Sequence, residues 1–208
     1  MDDRYFELEK IHGQDGARLA AESQSAAIDQ IESIASRENI DCDFTRLDGY
    51  LFLAPGESRE TLERELAAAN RAGLVGLEIL GRTPFTSFDA GPCLRFPRQA
   101  QFHPLKYLAG LASAIERLGG CICCDTGAAS IETGTPDKVL TKNGHTVQAG
   151  AVVVATNTPI NDLLAIHTKQ SPYLTYAISA EVPTGFIAKG LYWDTLDRCD
   201  RQSHRSFH

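Results

Sequence analysis

The chain has 208 residues, 43% of them hydrophobic and 23% charged, with a formal net charge of −7. That length fits one large domain or two small ones and removes roughly 70% of the unfolded surface from water. The acid excess argues against a general nucleic-acid binder, which needs clustered Lys and Arg, and no segment approaches the ~18 apolar residues of a membrane span.

Residues 2–38 read as helix, because Ile28, Ile31 and Ile34 recur on one face, with Gly13 and Gly16 expected to split it in two. Residues 42–53 read as a β-hairpin. Phe44 and Leu47 precede Asp48-Gly49, Tyr50-Leu51-Phe52-Leu53 follows, and Asp-Gly suits a type I′ turn. Ser58 reads as the N-cap of a helix running to about Ala72, with Leu62, Leu66 and Ala69 on one face and Gly73 as its stop. Val75 to Leu80 reads as a short strand, and residues 83–92, broken by Pro84, Gly91 and Pro92, as a loop. Leu94-Arg95-Phe96 and Gln101-Phe102-His103 read as two short strands pairing around Pro97. Arg95 and His103 there are either substrate contacts or solvated strand-edge residues.

Pro104 opens a helix, since proline at the first helical position has its φ already set. Its stripe is Leu108, Leu111, Ile115 and Leu118, and Gly119-Gly120 ends it. Cys121-Ile122-Cys123-Cys124 reads as a short strand, and strand, helix, strand in that order suggests a parallel crossover. Alternation places Cys121 and Cys123 on one face and Cys124 on the other, which argues against a C-x-x-C metal or redox site. The remaining cysteines are Cys42, Cys93 and Cys199. With a charged start, MDDRYFELEK, that is unlike a signal peptide, all six read as free thiols of a cytoplasmic protein.

Residues 131–133, 138–141 and 145–147 form a predicted antiparallel meander, with Asn143-Gly144 as its second turn. Ala151-Val152-Val153-Val154-Ala155 has no polar alternation and reads as a strand buried on both faces. It ends in Thr156-Asn157-Thr158-Pro159, either a plain turn or the kind of strand end where ligands meet an open α/β sheet. Ser171 to Val182 alternates as a further strand, and Leu191-Tyr192-Trp193 is a last apolar patch. Residues 196–208 lack apolar periodicity and are expected to be disordered. His204 and His208 have no third partner at ligand spacing, so no metal site is expected.

Three stretches together resemble the FAD-dependent oxidoreductases of the D-amino-acid oxidase type, a group that includes amine and amino-acid oxidases. They are Phe102-His103-Pro104-Leu105-Lys106-Tyr107-Leu108 with its helix to Gly119-Gly120, the meander feeding Ala151 to Asn157, and Leu47-Asp48-Gly49-Tyr50. Asn157 stands where that family carries a glycine in an Ala-x-Gly strand end, and it tolerates left-handed backbone better than most residues. The resemblance implies an α/β fold, an α+β mixture in which an incomplete, doubly wound FAD-binding domain adjoins a mixed-sheet substrate domain. It divides the chain into residues 1–100 (helical segment and start of the substrate domain), 101–165 (part of the FAD-binding domain), 166–195 (return to the substrate domain) and the tail 196–208. It implies FAD as cofactor, with the backbone of Ala155, Thr156 and Asn157 along the flavin side and Ala128 near the adenine. Lys169 and Tyr173 are the implied substrate-side residues, although a lysine of this kind is also simply solvated. The implied partner is a small-molecule amine or amino acid. The family's G-x-G-x-x-G turn, whose backbone amides hold the pyrophosphate, occurs nowhere in the sequence. The expectation is therefore an internal piece of a longer enzyme, with an inactive remnant or an interaction module on the same scaffold as the alternatives.

Overall fold

Helix α1 (Tyr5–Arg37) starts under a cap supplied from another element. Its own N-cap residue, Arg4, makes no side-chain bond to the helix. Instead the carboxylate of Glu65 accepts from the backbone N–H of Tyr5 at 3.0 Å and of Phe6 at 3.3 Å. The positive helix end favours an anion there. Gly13, at φ 71° and ψ 175°, interrupts α1 as expected, whereas Gly16 stays helical. Ala17, Ala21 and Ala35 are buried, and their small side chains let neighbouring elements approach closely.

Helix α2 (Arg59–Arg71) carries Glu65 together with buried Leu62, Ala68 and Ala69. Ser58 occupies its N-cap position without a side-chain cap bond. Its end is a Schellman motif. Gly73 N–H donates to the Asn70 carbonyl at 3.0 Å and Leu74 N–H to the Ala69 carbonyl at 3.1 Å, with Gly73 at φ 92°. Gly73→Ala is expected to lower stability by about 1 kcal/mol, because an L side chain is strained at that φ. Urea denaturation midpoints measure it.

The structure describes residues 3–85, 88–156 and 176–196, and this computed structural model is a mixture of helix and sheet. It divides into two units, Met1–Arg117 with Glu181–His208, and Leu118–Ala180. In the first unit, β1 (Thr45–Phe52), β2 (Glu78–Leu80), β3 (Cys93–Gln101) and β4 (Leu191–Asp194) form one sheet in the order β2-β3-β1-β4. Strand β4 runs parallel to β1, and the other pairs are antiparallel. Leu51, Leu94 and Phe96 sit on one sheet face in a core with Leu62, Ala69, Tyr5 and Ala17 from the helices, and Trp193 packs against it.

The sheet corrects two expectations. The predicted hairpin over residues 42–53 is a single strand, with Asp48-Gly49 inside it. The two short strands around Pro97 are also one strand, paired with β1 from Thr45↔Gln101 to Phe52↔Cys93. The register shifts between Leu47↔Gln99 and Gly49↔Phe96. That bulge takes up Pro97, which has no N–H for the ladder, and Arg98 at φ 61°. Gly49 is present for space and not for a turn: a Cβ there would lie 2.7 Å from the Trp193 ring.

Helix α3 (Pro104–Arg117) starts as expected at Pro104. His103 caps it, its Nδ1 accepting from Lys106 N–H at 3.3 Å and its carbonyl from Tyr107 N–H at 3.0 Å. Of its predicted stripe, Leu108 is 57% and Ile115 46% exposed.

In the second unit, β5 (Ala128–Glu132), β6 (Asp137–Thr141) and β7 (Thr146–Ala149) form the predicted antiparallel meander. The expected strand at Cys121–Cys124 is absent. The backbone turns there instead, with Thr126 Oγ1 donating to the Cys124 carbonyl at 2.8 Å and Asp125 at φ 53°. The expected buried strand over Ala151–Ala155 is irregular backbone, and Val153 is 87% exposed. An apolar run becomes a central strand only between neighbours that bond to it, and none of the described residues does so. Of the strand expected over Ser171–Val182, residues 176–182 have no strand pairing, and the rest lie outside the described residues. So does the tail from residue 197.

Candidate functional site

The first unit's sheet has two unlike faces, because successive residues of a strand point to opposite sides. Leu51, Leu94 and Trp193 face the helices. The alternate residues are Asp48, Tyr50 and Phe52 on β1, Arg95 on β3, Glu78 on β2 and Tyr192 on β4. Five rings join on this side. Tyr50 stacks on Tyr192 at 5.2 Å between centroids, Tyr192 meets Phe85 at 4.6 Å, and Phe85 stacks on Phe88 at 4.5 Å and meets Phe52 edge-on at 6.0 Å. Gly190 lets the chain pass close to the stack, since a Cβ there would lie 3.0 Å from Tyr50. Burial pushes the phenols of Tyr50 and Tyr192 above their ordinary range, and the Asp48 carboxylate adds to this for Tyr50.

Arg95 sits between two carboxylates. Its Nη1 donates to Glu78 Oε2 at 3.2 Å. Its Nε lies 3.0 Å from Asp48 Oδ2, an ion pair without hydrogen-bond alignment. The group of Asp48, Glu78 and Arg95 therefore carries one net negative charge. Of the two residues left open by the sequence, Arg95 belongs to this aromatic face and His103 is a helix cap. Tyr50 and Phe52 at strand spacing were the one local signal for the rings. Tyr192 and Phe85 join them only through β4 and the bridge Phe85↔Ile187.

The residues expected along the flavin are less organised. Ala128 opens β5 and is half-buried, while Ala155 and Thr156 are exposed on irregular backbone. Asn157, Lys169 and Tyr173 lie outside the described residues. Two open clefts of about 330 and 320 Å³ lie elsewhere, one beside Asp43 and His103 and one beside Glu38 and Arg117. Asp43 and Glu38 there are paired: Lys106 holds the Asp43 carboxyl below its usual range, and Arg117 with Arg37 does the same to Glu38. Among the described residues no group of His, Cys, Asp and Glu could hold a metal ion, and no helix is long and apolar enough to cross a membrane.

Residues 6–204 match the family described as DAO, FAD dependent oxidoreductase. Over 158 residues the chain is 30% identical to YhfW of Bacillus subtilis (strain 168), named for a Rieske 2Fe-2S iron-sulfur protein, covering 76% of this chain and 31% of that one. Over 191 residues it is 29% identical to gamma-glutamylputrescine oxidoreductase of Escherichia coli (strain K12), covering 88% of this chain and 44% of that one. The chain thus spans less than half the length of these curated relatives. In fold it is similar to glycine oxidase from Geobacillus kaustophilus, with a TM-score of 0.54, 22% identity and coverage of 67% of this chain and 39% of that one. It is similar in the same way to L-proline dehydrogenase from P. horikoshii, with a TM-score of 0.52, 14% identity and coverage of 75% and 39%.

FAD is the family's cofactor, and the described residues do not build a site for it. The half-buried Ala128 and the exposed Ala155 and Thr156 form no cradle, and no glycine-rich turn offers backbone amides to a pyrophosphate. What the described residues do supply is a mixed helix-and-sheet scaffold with one apolar face packed and one aromatic face open. With residues 6–204 of its 208 matched, the chain belongs to the DAO family of FAD-dependent oxidoreductases.

Proposed function

We propose that the protein containing this chain oxidises an amine or amino acid, with FAD taking the hydride, and that the aromatic sheet face of the first unit is the substrate-side wall. The observation that carries this reading is the composition of that face. Five joined rings lie beside a charged group with two carboxylates to one guanidinium. Aromatic faces and excess negative charge both favour an organic ammonium. Arg95 is engaged by Asp48 and Glu78 and is not a free carboxylate grip. The name of the Escherichia coli relative, a gamma-glutamylputrescine oxidoreductase, supports an amine.

By resemblance, Lys169 and Tyr173 complete the substrate side, and Ala128, Ala155, Thr156 and Asn157 line the flavin side. Residues 101–165 then belong with the cofactor domain, and residues 1–100 and 166–195 with the substrate domain. The test is a chimera in which residues 6–195 replace the matching segment of the Escherichia coli relative. Under anaerobic conditions its flavin absorbance is expected to bleach on addition of an amine. A chimera that retains FAD and bleaches with no amine or amino acid contradicts the reading. A second reading, an inactive remnant on the same scaffold, predicts that outcome.

A further inference from the structure

Three of the six cysteines fall within four residues, and Cys121, Cys123 and Cys124 are all exposed and free. The proposed oxidation of amines uses none of them. Their segment follows Gly119, at φ 88°, and precedes β5 in the second unit. The Sγ atoms of Cys121 and Cys123 lie 3.8 Å apart, in direct contact. A turn follows Cys124, where Thr126 Oγ1 donates to its carbonyl and Asp125 takes a left-handed backbone, and the sulfur contact is between Cys121 and Cys123. The neighbouring Cys121 raises the Cys123 thiol above its ordinary range, chiefly through the contact between the two sulfurs. The attacking species is the thiolate, so exchange quickens as pH rises and one of the pair loses its proton. A disulfide needs a sulfur separation of about 2.0 Å, a short approach for two exposed side chains already in contact.

We propose that Cys121 and Cys123 form a thiol–disulfide exchange site whose substrate is a low-molecular-weight disulfide such as oxidised glutathione. The thiolate of one cysteine attacks a sulfur of the small disulfide. A mixed disulfide forms, and the expelled thiolate takes up the proton that the attacking cysteine released. The second cysteine, deprotonated in turn, attacks the cysteine sulfur of the mixed disulfide. The Cys121–Cys123 bond forms, and the second small thiolate leaves and is protonated. Two protein thiols are oxidised and one small disulfide is reduced to two thiols.

The test incubates the 208-residue chain with mixtures of oxidised and reduced glutathione, quenches with acid, and maps the tryptic peptide of residues 118–138 by mass spectrometry. The expected product has lost two hydrogens, carries no glutathione, and links Cys121 to Cys123. Cys124→Ser is expected to close like the wild type, whereas Cys121→Ser and Cys123→Ser accumulate the glutathione adduct. In denaturant the ratio of closed product to adduct is expected to fall about tenfold, because the folded turn raises the effective concentration of one thiol at the other. The proposal is overturned if the wild type accumulates the adduct, if the linkage involves Cys124, or if the denatured chain closes equally well. None of these readouts depends on flavin, so failure here leaves the proposed oxidation standing, and the chimera experiment leaves this proposal standing in turn.

Discussion

Replacing Glu65 with alanine is expected to cost about 2–4 kcal/mol, since one buried and one half-buried backbone donor lose their acceptor. The acceptor bridges α2 and the first turn of α1, where Tyr5 and Phe6 donate to its two oxygens. Tyr5 is itself in the core, its phenol pushed up to about 12 by burial and then by the Glu65 charge. Loss of the cap therefore frees the start of α1 from the sheet core. Glu65→Gln keeps one accepting oxygen and is expected to lose less than half as much.

The two variants also separate in their pH dependence. Burial raises the Glu65 carboxyl above its ordinary value of 4.5, against the lowering effect of the two backbone bonds. The folded state then holds this proton more tightly than the unfolded chain. Its contribution is fully present below the unfolded value and is lost as pH rises through the raised folded value. The wild type should lose stability relative to Glu65→Gln across that window. Urea midpoints of both proteins, taken from below pH 4.5 upward, measure it. Parallel curves would show that Glu65 titrates as it does in the unfolded chain.

Gly49→Val is the second large effect expected. Even a Cβ at Gly49 would meet the Trp193 ring at 2.7 Å, and the valine methyls extend further. Trp193 is the β4 residue paired with Leu51, and β4 brings residues 191–194 back onto the sheet. Displacing it loosens that pairing and the anchor beyond it, where Thr195 N–H donates to the Phe52 carbonyl at 2.9 Å and Thr195 Oγ1 accepts from Ala54 N–H at 2.9 Å. The expected loss is about 3 kcal/mol, at the upper end for overpacking a tight site. Trp193→Leu should relieve the clash, so the double variant should be more stable than the sum of the singles by about 1–2 kcal/mol. Additive losses would show that the glycine matters for something other than the ring.

The three helices were legible in the sequence because their signals are local. Ser58, Gly73 and Pro104 stand at helix ends where their backbone chemistry places them, and Gly13 breaks α1 where its φ demands it. The meander was legible for the same reason, through Asn143-Gly144 and the alternation around it. The main sheet was not. Asp48-Gly49 carries a strong hairpin signal, yet pairing with β3 along its whole length and packing against Trp193 from near the other end of the chain override it. Pro97 looked like a strand break and is absorbed in a bulge. The run Ala151–Ala155 showed the opposite failure: its hydrophobicity is that of a buried strand, but burial belongs to the neighbours and not to the run.

The candidate site was legible in part. Arg95 and His103 were singled out together as substrate contacts or strand-edge residues, and of the two Arg95 lies on the aromatic face. The aromatic face itself is assembled from β1, β4 and the loop before Phe88, which no periodicity joins. The pair Cys121 and Cys123 was visible as a cluster on one face of an expected strand, and the contact between the two sulfurs forms on irregular backbone instead.

On the proposed reading the aromatic face walls the substrate side, and the described residues do not by themselves close around FAD. The visible absorption spectrum of the purified 208-residue chain, taken after incubation with FAD and desalting, tests it most directly. A colourless protein is expected, one that is nonetheless folded and monodisperse enough to give a cooperative urea transition. A stoichiometric flavin band that survives desalting would contradict it, and would place a cofactor cradle in this chain without the glycine-rich turn.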